Sequence, residues 1–111
     1  MKVAEVVEKL GLEVYSGSKG LDREIRGGYT SDLLSDVMGH ADSGDVLVTL
    51  QTHKNVIAIA SLKELSAIVL VKNYKPEAET IAQSNEEGIP ILGTSKETFE
   101  ITGLLYKLIK G

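Results

Sequence analysis

The stretch that decides the fold is residues 46–71, which read VLVTLQTHKNVIAIASLKELSAIVLV. It opens with an apolar strand, Val46 to Leu50, and closes with a second one, Ala67 to Val71. Between them lie the polar residues Gln51 to Asn55 and a helix from Val56 to Lys63 that is apolar almost all round. Apolar strands that alternate with helices are typical of a parallel sheet covered on both faces.

The same alternation continues toward the C-terminus. Pro76 is predicted in the first turn of a helix, and a short strand from Ile89 to Leu92 follows. Thr94 stands three residues before Glu97, which is the spacing of a capping box. This box predicts the start of a last helix that runs to about Ile109.

The region before residue 46 supplies two further strands. Residues 2–10 predict an amphipathic helix, followed by candidate strands at Leu12 to Tyr15 and Glu24 to Tyr29. Ser31 or Asp32 is the predicted cap of the next helix. The apolar stripe of that helix consists of Leu33, Leu34, Val37 and Met38.

Length and composition favour one ordinary α/β domain. The chain has 111 residues, of which 42% are hydrophobic and 25% charged. We therefore expect a single domain over residues 1–111, with a largely parallel sheet of about five strands flanked by helices on both faces. There is no cysteine and no apolar run long enough for a signal or a membrane span, so we expect a cytoplasmic protein without disulfides.

Charge and motif content argue against several functions. A net charge of -4 disfavours nucleic-acid binding, because affinity for phosphates comes mainly from lysine and arginine. Aromatic residues, at 5%, offer little stacking surface for bases. No segment matches a phosphate-binding loop, a dinucleotide fingerprint, a zinc-ligand spacing or a nucleophile elbow. The sequence predicts a binding protein with no metal and no cofactor.

Polar residues that follow the predicted strands are candidates for ligand binding. In open parallel sheets, ligands bind beyond the carboxyl ends of the strands, where helix N-termini present free amides. Three polar segments fall at such positions, and we expect them to gather at one rim of the sheet. The candidate ligand-binding residues are Thr30, Ser31, Asp32, Thr49, Gln51, Thr52, His53, Asn55, Thr94 and Ser95.

Each segment also has a simpler structural interpretation. Thr52 or Asn55 would serve as a helix cap with its neighbours solvated. Asp32 and Asp36, four residues apart, would be paired carboxylates or magnesium ligands, although a solvated acidic face is the simpler explanation. His53 would be a surface residue or the proton-transfer group of a small enzyme, with one of these aspartates as its orienting carboxylate.

Six segments together carry a family resemblance: Ser31 to Met38, Ala41 to Asp45, Thr49 to His53, Ala67 to Leu70, Pro76-Glu77 and Gly88 to Leu92. In this order they resemble the DRTGG domain family. Asp45 matches the family's aspartate, whereas Val46 stands where arginine is usual. Val71-Lys72-Asn73 replaces a threonine and two glycines. The chain looks like a divergent, free-standing member.

The resemblance implies regulation rather than catalysis. Domains of this family accompany nucleotide-sensing CBS pairs in pyrophosphatases, precede phosphotransacetylase catalytic domains, and resemble the noncatalytic N-terminal domain of HPr kinase. The kinase's phosphate-binding loop has no counterpart in this sequence. The resemblance implies dimer formation without a settled ligand, and the convergent polar turns favour a homodimeric module that binds a small anionic metabolite or nucleotide. The alternative is a pure interaction adaptor for a partner enzyme such as a hydrogenase.

Overall fold

The computed structural model describes residues 1–111. Its strands are β1 (Glu13–Ser16), β2 (Gly27–Thr30), β3 (Asp45–Thr49), β4 (Ala67–Leu70) and β5 (Ile91–Gly93). Its helices are α1 (Val3–Leu10), α2 (Leu34–His40), α3 (Asn55–Lys63), α4 (Ala78–Glu87) and α5 (Thr98–Lys110), with a short 3-10 turn at Ser18–Gly20. No helix is both long enough and apolar enough to cross a bilayer.

The five strands form one sheet in the order β1-β5-β4-β3-β2. β2, β3, β4 and β5 run parallel to one another, whereas β1 runs antiparallel to β5. The predicted α/β class and five strands are confirmed, but the sheet is mixed rather than largely parallel. The reason lies in α1, which ends at Gly11 beside Thr94, at the carboxyl end of β5. A strand that starts there has to run back against β5.

Helices cover both faces of the sheet, as the unbroken apolar strands predict. Val46 and Val48 of β3 point into a cluster shared with α1 and α5. Leu47, between them, points into a second cluster shared with α2 and α3. All five residues of β3 and all four of β4 are buried, so these two strands form the centre of the core.

The start of α2 differs from the prediction. The helix begins at Leu34, with no side-chain cap, so neither Ser31 nor Asp32 caps it. The Ser31 hydroxyl instead accepts a hydrogen bond from the backbone N–H of Leu33 at 3.1 Å. Leu33 is 64% exposed and Met38 37% exposed, so neither residue belongs to the buried stripe of α2, which is narrower than predicted.

The other predicted helix starts are also shifted. The capping box at Thr94 is wrong, because α5 begins at Thr98 without a side-chain cap. Thr94 Oγ1 accepts a hydrogen bond from the N–H of Lys96 at 3.2 Å, which closes a local turn before the helix. Pro76 lies before α4 and not in its first turn, since that helix begins at Ala78.

Candidate ligand-binding rim

The four parallel strands end on the same side of the sheet, which creates one continuous row of loops. We call this row the carboxyl-end rim and define it as residues 31–33, 50–54, 71–77 and 94–97, which follow β2, β3, β4 and β5. Helices α3, α4 and α5 all begin at this rim. The predicted polar segments therefore lie on one side of the molecule.

Asp32 connects the ends of β2 and β3. Its Oδ1 accepts hydrogen bonds from the backbone N–H of Leu50 at 2.7 Å and from the Thr49 hydroxyl at 3.1 Å. The side-chain amide of Gln51 donates to the backbone carbonyl of Asp32 at 2.6 Å. The candidate residues Asp32, Thr49 and Gln51 are thus brought together, and the Asp32 carboxylate joins the ends of the neighbouring strands β2 and β3.

The loop after β3 is held by its backbone and by one imidazole. The backbone N–H of Asn55 donates to His53 Nδ1 at 3.1 Å, so His53 takes the first amide of α3. The predicted capping by Thr52 or Asn55 is wrong, since no cap hydrogen bond comes from either side chain. The Thr52 carbonyl accepts from the Thr80 hydroxyl at 2.7 Å, which joins this loop to α4.

The carboxylates proposed as partners of His53 are engaged elsewhere. Asp36 accepts a hydrogen bond from the Tyr29 hydroxyl at 2.8 Å and lies 3.1 Å from His40 Nδ1. The Tyr29 hydroxyl, above all, lowers the pKa of Asp36, and the same hydrogen bond raises the pKa of Tyr29. Because Asp32 lies outside α2, the two aspartates do not share a helical face, and no group of three acidic or histidine side chains could hold a metal ion.

Thr94 and Ser95 face a separate depression at the other end of the rim. Its volume is about 270 Å³. Residues from α1, β1, the loop after β4 and the loop after β5 line it: Leu10, Gly11, Glu13, Asn73, Gly93, Thr94, Ser95 and Lys96. Thr30, by contrast, bonds through its hydroxyl to Thr102 of α5 at 3.0 Å. The candidate residues thus form separate groups along the rim, and no cavity contains all of them.

A left-handed turn follows β4 and was not predicted. Lys72 and Asn73 have φ values of 56° and 62°, and the N–H of Tyr74 donates to the Val71 carbonyl at 3.0 Å. This is the geometry of a type I′ turn, which favours glycine or asparagine. The N–H of Lys72 donates to the Lys96 carbonyl at 3.0 Å, so the turn fixes the loop after β5.

Near the depression, Lys75 links β1 to the rim. Its ammonium donates to the Tyr15 hydroxyl at 3.0 Å, lies 4.8 Å from the ring centroid and is 3.8 Å from the Glu13 carboxylate. The hydrogen bond to Tyr15, with smaller contributions from the charges of Tyr15 and Glu13, raises the pKa of Lys75. A fixed cation therefore stands at this end of the rim.

A family model of the DRTGG domain matches residues 5–108. The chain belongs to the DRTGG domain family. No curated protein matches it. Among solved structures, this DRTGG domain is similar to the CBS and DRTGG domains of the regulatory region of Clostridium perfringens pyrophosphatase, in complex with its activator, diadenosine tetraphosphate. The TM-score is 0.68 at 12% identity, over 94% of this chain and 45% of that one, so the chain spans less than half of that structure and the likeness concerns the fold alone.

The family's signature positions have structural roles in this DRTGG domain. Asp45 is 7% exposed, and its Oδ2 accepts a hydrogen bond from the N–H of Asp42 at 2.9 Å. A Cβ on Gly27 would lie 2.9 Å from Asp45 Oδ1, so the neighbouring strand accommodates this carboxylate by lacking a side chain. Residues 71–73, where the family has threonine and two glycines, form the left-handed turn. Asp45 thus holds the turn before β3, at the end of the sheet opposite the rim, and residues 71–73 hold the rim itself.

Proposed function

We propose that this DRTGG domain is a noncatalytic regulatory module that binds a small anionic ligand or nucleotide at the carboxyl-end rim. One observation carries the proposal: α3, α4 and α5 begin at the rim, and no N-cap side chain bonds to any of them, although the His53 imidazole accepts the first amide of α3. The first amides of a helix lack intrahelical acceptors and carry a partial positive charge. Such helix starts favour anions.

Among the three helix starts, that of α3 has the side-chain charges most favourable for an anion, although its first amide is bonded to His53. Its first turn contains no acidic residue, whereas Glu79 lies in the first turn of α4 and Glu100 in that of α5. His53 and Lys54 stand immediately before it and are both exposed, and the Lys54 ammonium lies 3.1 Å from the Glu79 carboxylate. Gln51, in the same loop between β3 and α3, is half-buried and is oriented by the hydrogen bond from its side-chain amide to the Asp32 carbonyl. We infer that the ligand's anionic group lies nearest to residues 51–55.

The nature of the solved neighbour suggests which ligands to test first. That pyrophosphatase regulatory region was solved with a dinucleotide polyphosphate activator. The family membership of this chain supports a regulatory role, and the uncapped helix starts supply the chemistry that phosphate groups need. Nucleotides and acyl phosphates are therefore the first compounds to screen.

The test is a thermal-shift and calorimetric screen with AMP, ATP, diadenosine tetraphosphate and acetyl phosphate. A ligand present at 100 times its Kd stabilises the folded state by about 2.7 kcal/mol. We expect the double substitution Gln51→Ala with His53→Ala to abolish the shift. His40→Ala is the matched control, because His40 is exposed but lies at the far end of α2 from the rim.

The screen contradicts the proposal if none of these compounds stabilises the fold, or if the double variant responds as the wild type does. A response lost equally in His40→Ala would also contradict it, because that histidine lies away from the rim.

We further propose that the module forms a homodimer, which a regulatory domain can use to transmit a signal to a partner enzyme. The family resemblance and the exposed edge of β2 support this second property. Sedimentation velocity tests it, since a strict monomer at high micromolar concentration would exclude a functional pair.

A further inference from the structure

The two edges of the sheet differ in how they are protected. β1 begins with the exposed charge of Glu13 and has an irregular register between Val14 and Ser16, and a charge and a bulge both discourage further strand pairing. β2, at the opposite edge, is the uncharged segment GGYT, with regular pairing to β3 on its inner side. β2 therefore lacks the devices that normally prevent edge-to-edge association.

Exposed apolar side chains flank β2 on both faces of the sheet. On the α5 side, Tyr106 is 69% exposed, and Phe99, two helical turns earlier on the same face, is 92% exposed. On the other side, Leu33 is 64% exposed and follows β2 by three residues. Monomeric proteins rarely leave large apolar side chains exposed along an unprotected strand.

A small cavity opens beside this strand. It has a volume of about 120 Å³ and lies between β2 and α5, where Gly28 has no side chain. Thr30, Thr102, Tyr106 and Ile109 line it together with Gly28. An incoming strand would find room there for a side chain.

The charges at the two ends of β2 identify the partner. Lys110 lies at the start of the strand, where its ammonium is 3.5 Å from the Arg26 carbonyl, and neither Lys110 nor Arg26 forms an ion pair. At the end of the strand, Asp32 binds β3 through Oδ1 and leaves Oδ2 without a hydrogen bond, whereas the Asp36 carboxylate is already engaged by Tyr29 and His40. A second copy of β2, placed antiparallel about a two-fold axis, brings each basic end against an acidic end. A uniformly acidic or basic peptide would match only one end.

We propose that two copies of this chain associate through β2, antiparallel to each other, to form a continuous ten-stranded sheet (two sheets of five strands) with Tyr106 and Leu33 covering the new seam. The inference rests on the homodimer proposed above and assigns its surface. In the dimer, Arg26 and Lys110 lie near Asp32 of the partner subunit. Isologous pairing of this kind buries both edges at once and closes the assembly at two subunits.

The experiment is sedimentation equilibrium of the full chain and of Gly28→Lys. A Cβ at Gly28 would lie 3.5 Å from Val46 Cγ1, an ordinary contact, so the substitution fits the fold and places a charge on the edge strand. We expect a wild-type dimer and at least about a tenfold higher dissociation constant for Gly28→Lys. Leu62→Lys is the matched control, since Leu62 is 70% exposed on α3, away from β2, and should leave the dimer intact.

Two further variants separate the possible outcomes. Tyr106→Lys repeats the perturbation from α5 if Gly28→Lys melts early. Lys110→Glu should weaken the dimer at low salt and less so at high salt, because exposed charges are screened. If the wild type is a dimer that survives both Gly28→Lys and Tyr106→Lys, this surface is wrong while the proposed homodimer stands. If the wild type is a monomer, both fail, and ligand binding at the rim is judged separately by its own screen.

Discussion

Replacing Lys72 by glycine should make the protein more stable, although it removes a large side chain. Lys72 has a φ of 56°, in the left-handed region, where a residue with a Cβ destabilises the folded state by about 1–2 kcal/mol. Its side chain is exposed and makes no hydrogen bond or ion pair, so little is lost with it. Against this gain, glycine adds about 0.5–1 kcal/mol of unfolded-state entropy. The net expectation is a stabilisation of about 0.5–1 kcal/mol, or about 3 °C in Tm.

Urea unfolding with linear extrapolation, together with calorimetry, measures this difference. Lys107→Gly is the matched control, because it makes the same chemical change at an exposed position with ordinary helical geometry in α5. There glycine should cost about 1 kcal/mol. Lys72→Ala, which keeps the Cβ, should be close to neutral. If Lys72→Gly lowers stability as Lys107→Gly does, the left-handed turn carries no strain and the structural explanation of the family's glycines is refuted.

Three other predictions follow from individual contacts. Arg23→Ala should cost about 2 kcal/mol in urea unfolding, because its guanidinium donates to the Gly88 carbonyl at 3.0 Å and to two further carbonyls at the C-terminal ends of α3 and α4; a loss below about 0.5 kcal/mol would contradict this role. Gly93→Ala should cost about 1–3 kcal/mol, because its Cβ would overlap the hydroxyl and ring of Tyr15, and a double-mutant cycle should show a smaller cost in Tyr15→Ala. The Tyr29 hydroxyl is the main cause that lowers the folded-state pKa of Asp36, so Asp36 contributes stability that is complete above its ordinary pKa of 3.8 and is lost as pH falls through the lowered folded value. Tyr29→Phe should reduce this loss of stability at low pH in pH-dependent unfolding. An unchanged loss would exclude the hydrogen bond as its cause.

The centre of the fold was predictable because strands that are buried on two faces have a recognisable sequence pattern. β3 and β4 have no polar alternation, and α3 between them is apolar almost all round, so residues 46–71 alone predict a covered parallel unit. No comparable sequence pattern indicates the direction of β1. It depends on where α1 ends relative to β5, about 80 residues later in the chain, and periodicity within a short window does not contain that relation.

The rim was predictable in position but not in its contacts. Parallel strands end together, so polar loops after them had to lie on one side. The helix caps were wrong because polar side chains of the kind that favours capping are used for tertiary contacts here. Asp32 binds the end of β3 instead of an α2 amide, and the Thr80 hydroxyl reaches the carbonyl of Thr52. Local propensity therefore identified polar positions correctly but assigned them to the wrong partners.

These contacts also bear on what the family signature means. Asp45 closes the turn before β3 at one end of the sheet, and the left-handed turn at Lys72 and Asn73 fixes the loop after β5 at the other. Both act through backbone amides and carbonyls, which do not depend on the identity of a ligand. A chain can therefore replace the family's glycines with lysine and asparagine, at a cost in strain, and keep the rim in place. On the proposed ligand-binding role, ligand choice rests with side chains that the signature does not include, such as Gln51 and His53.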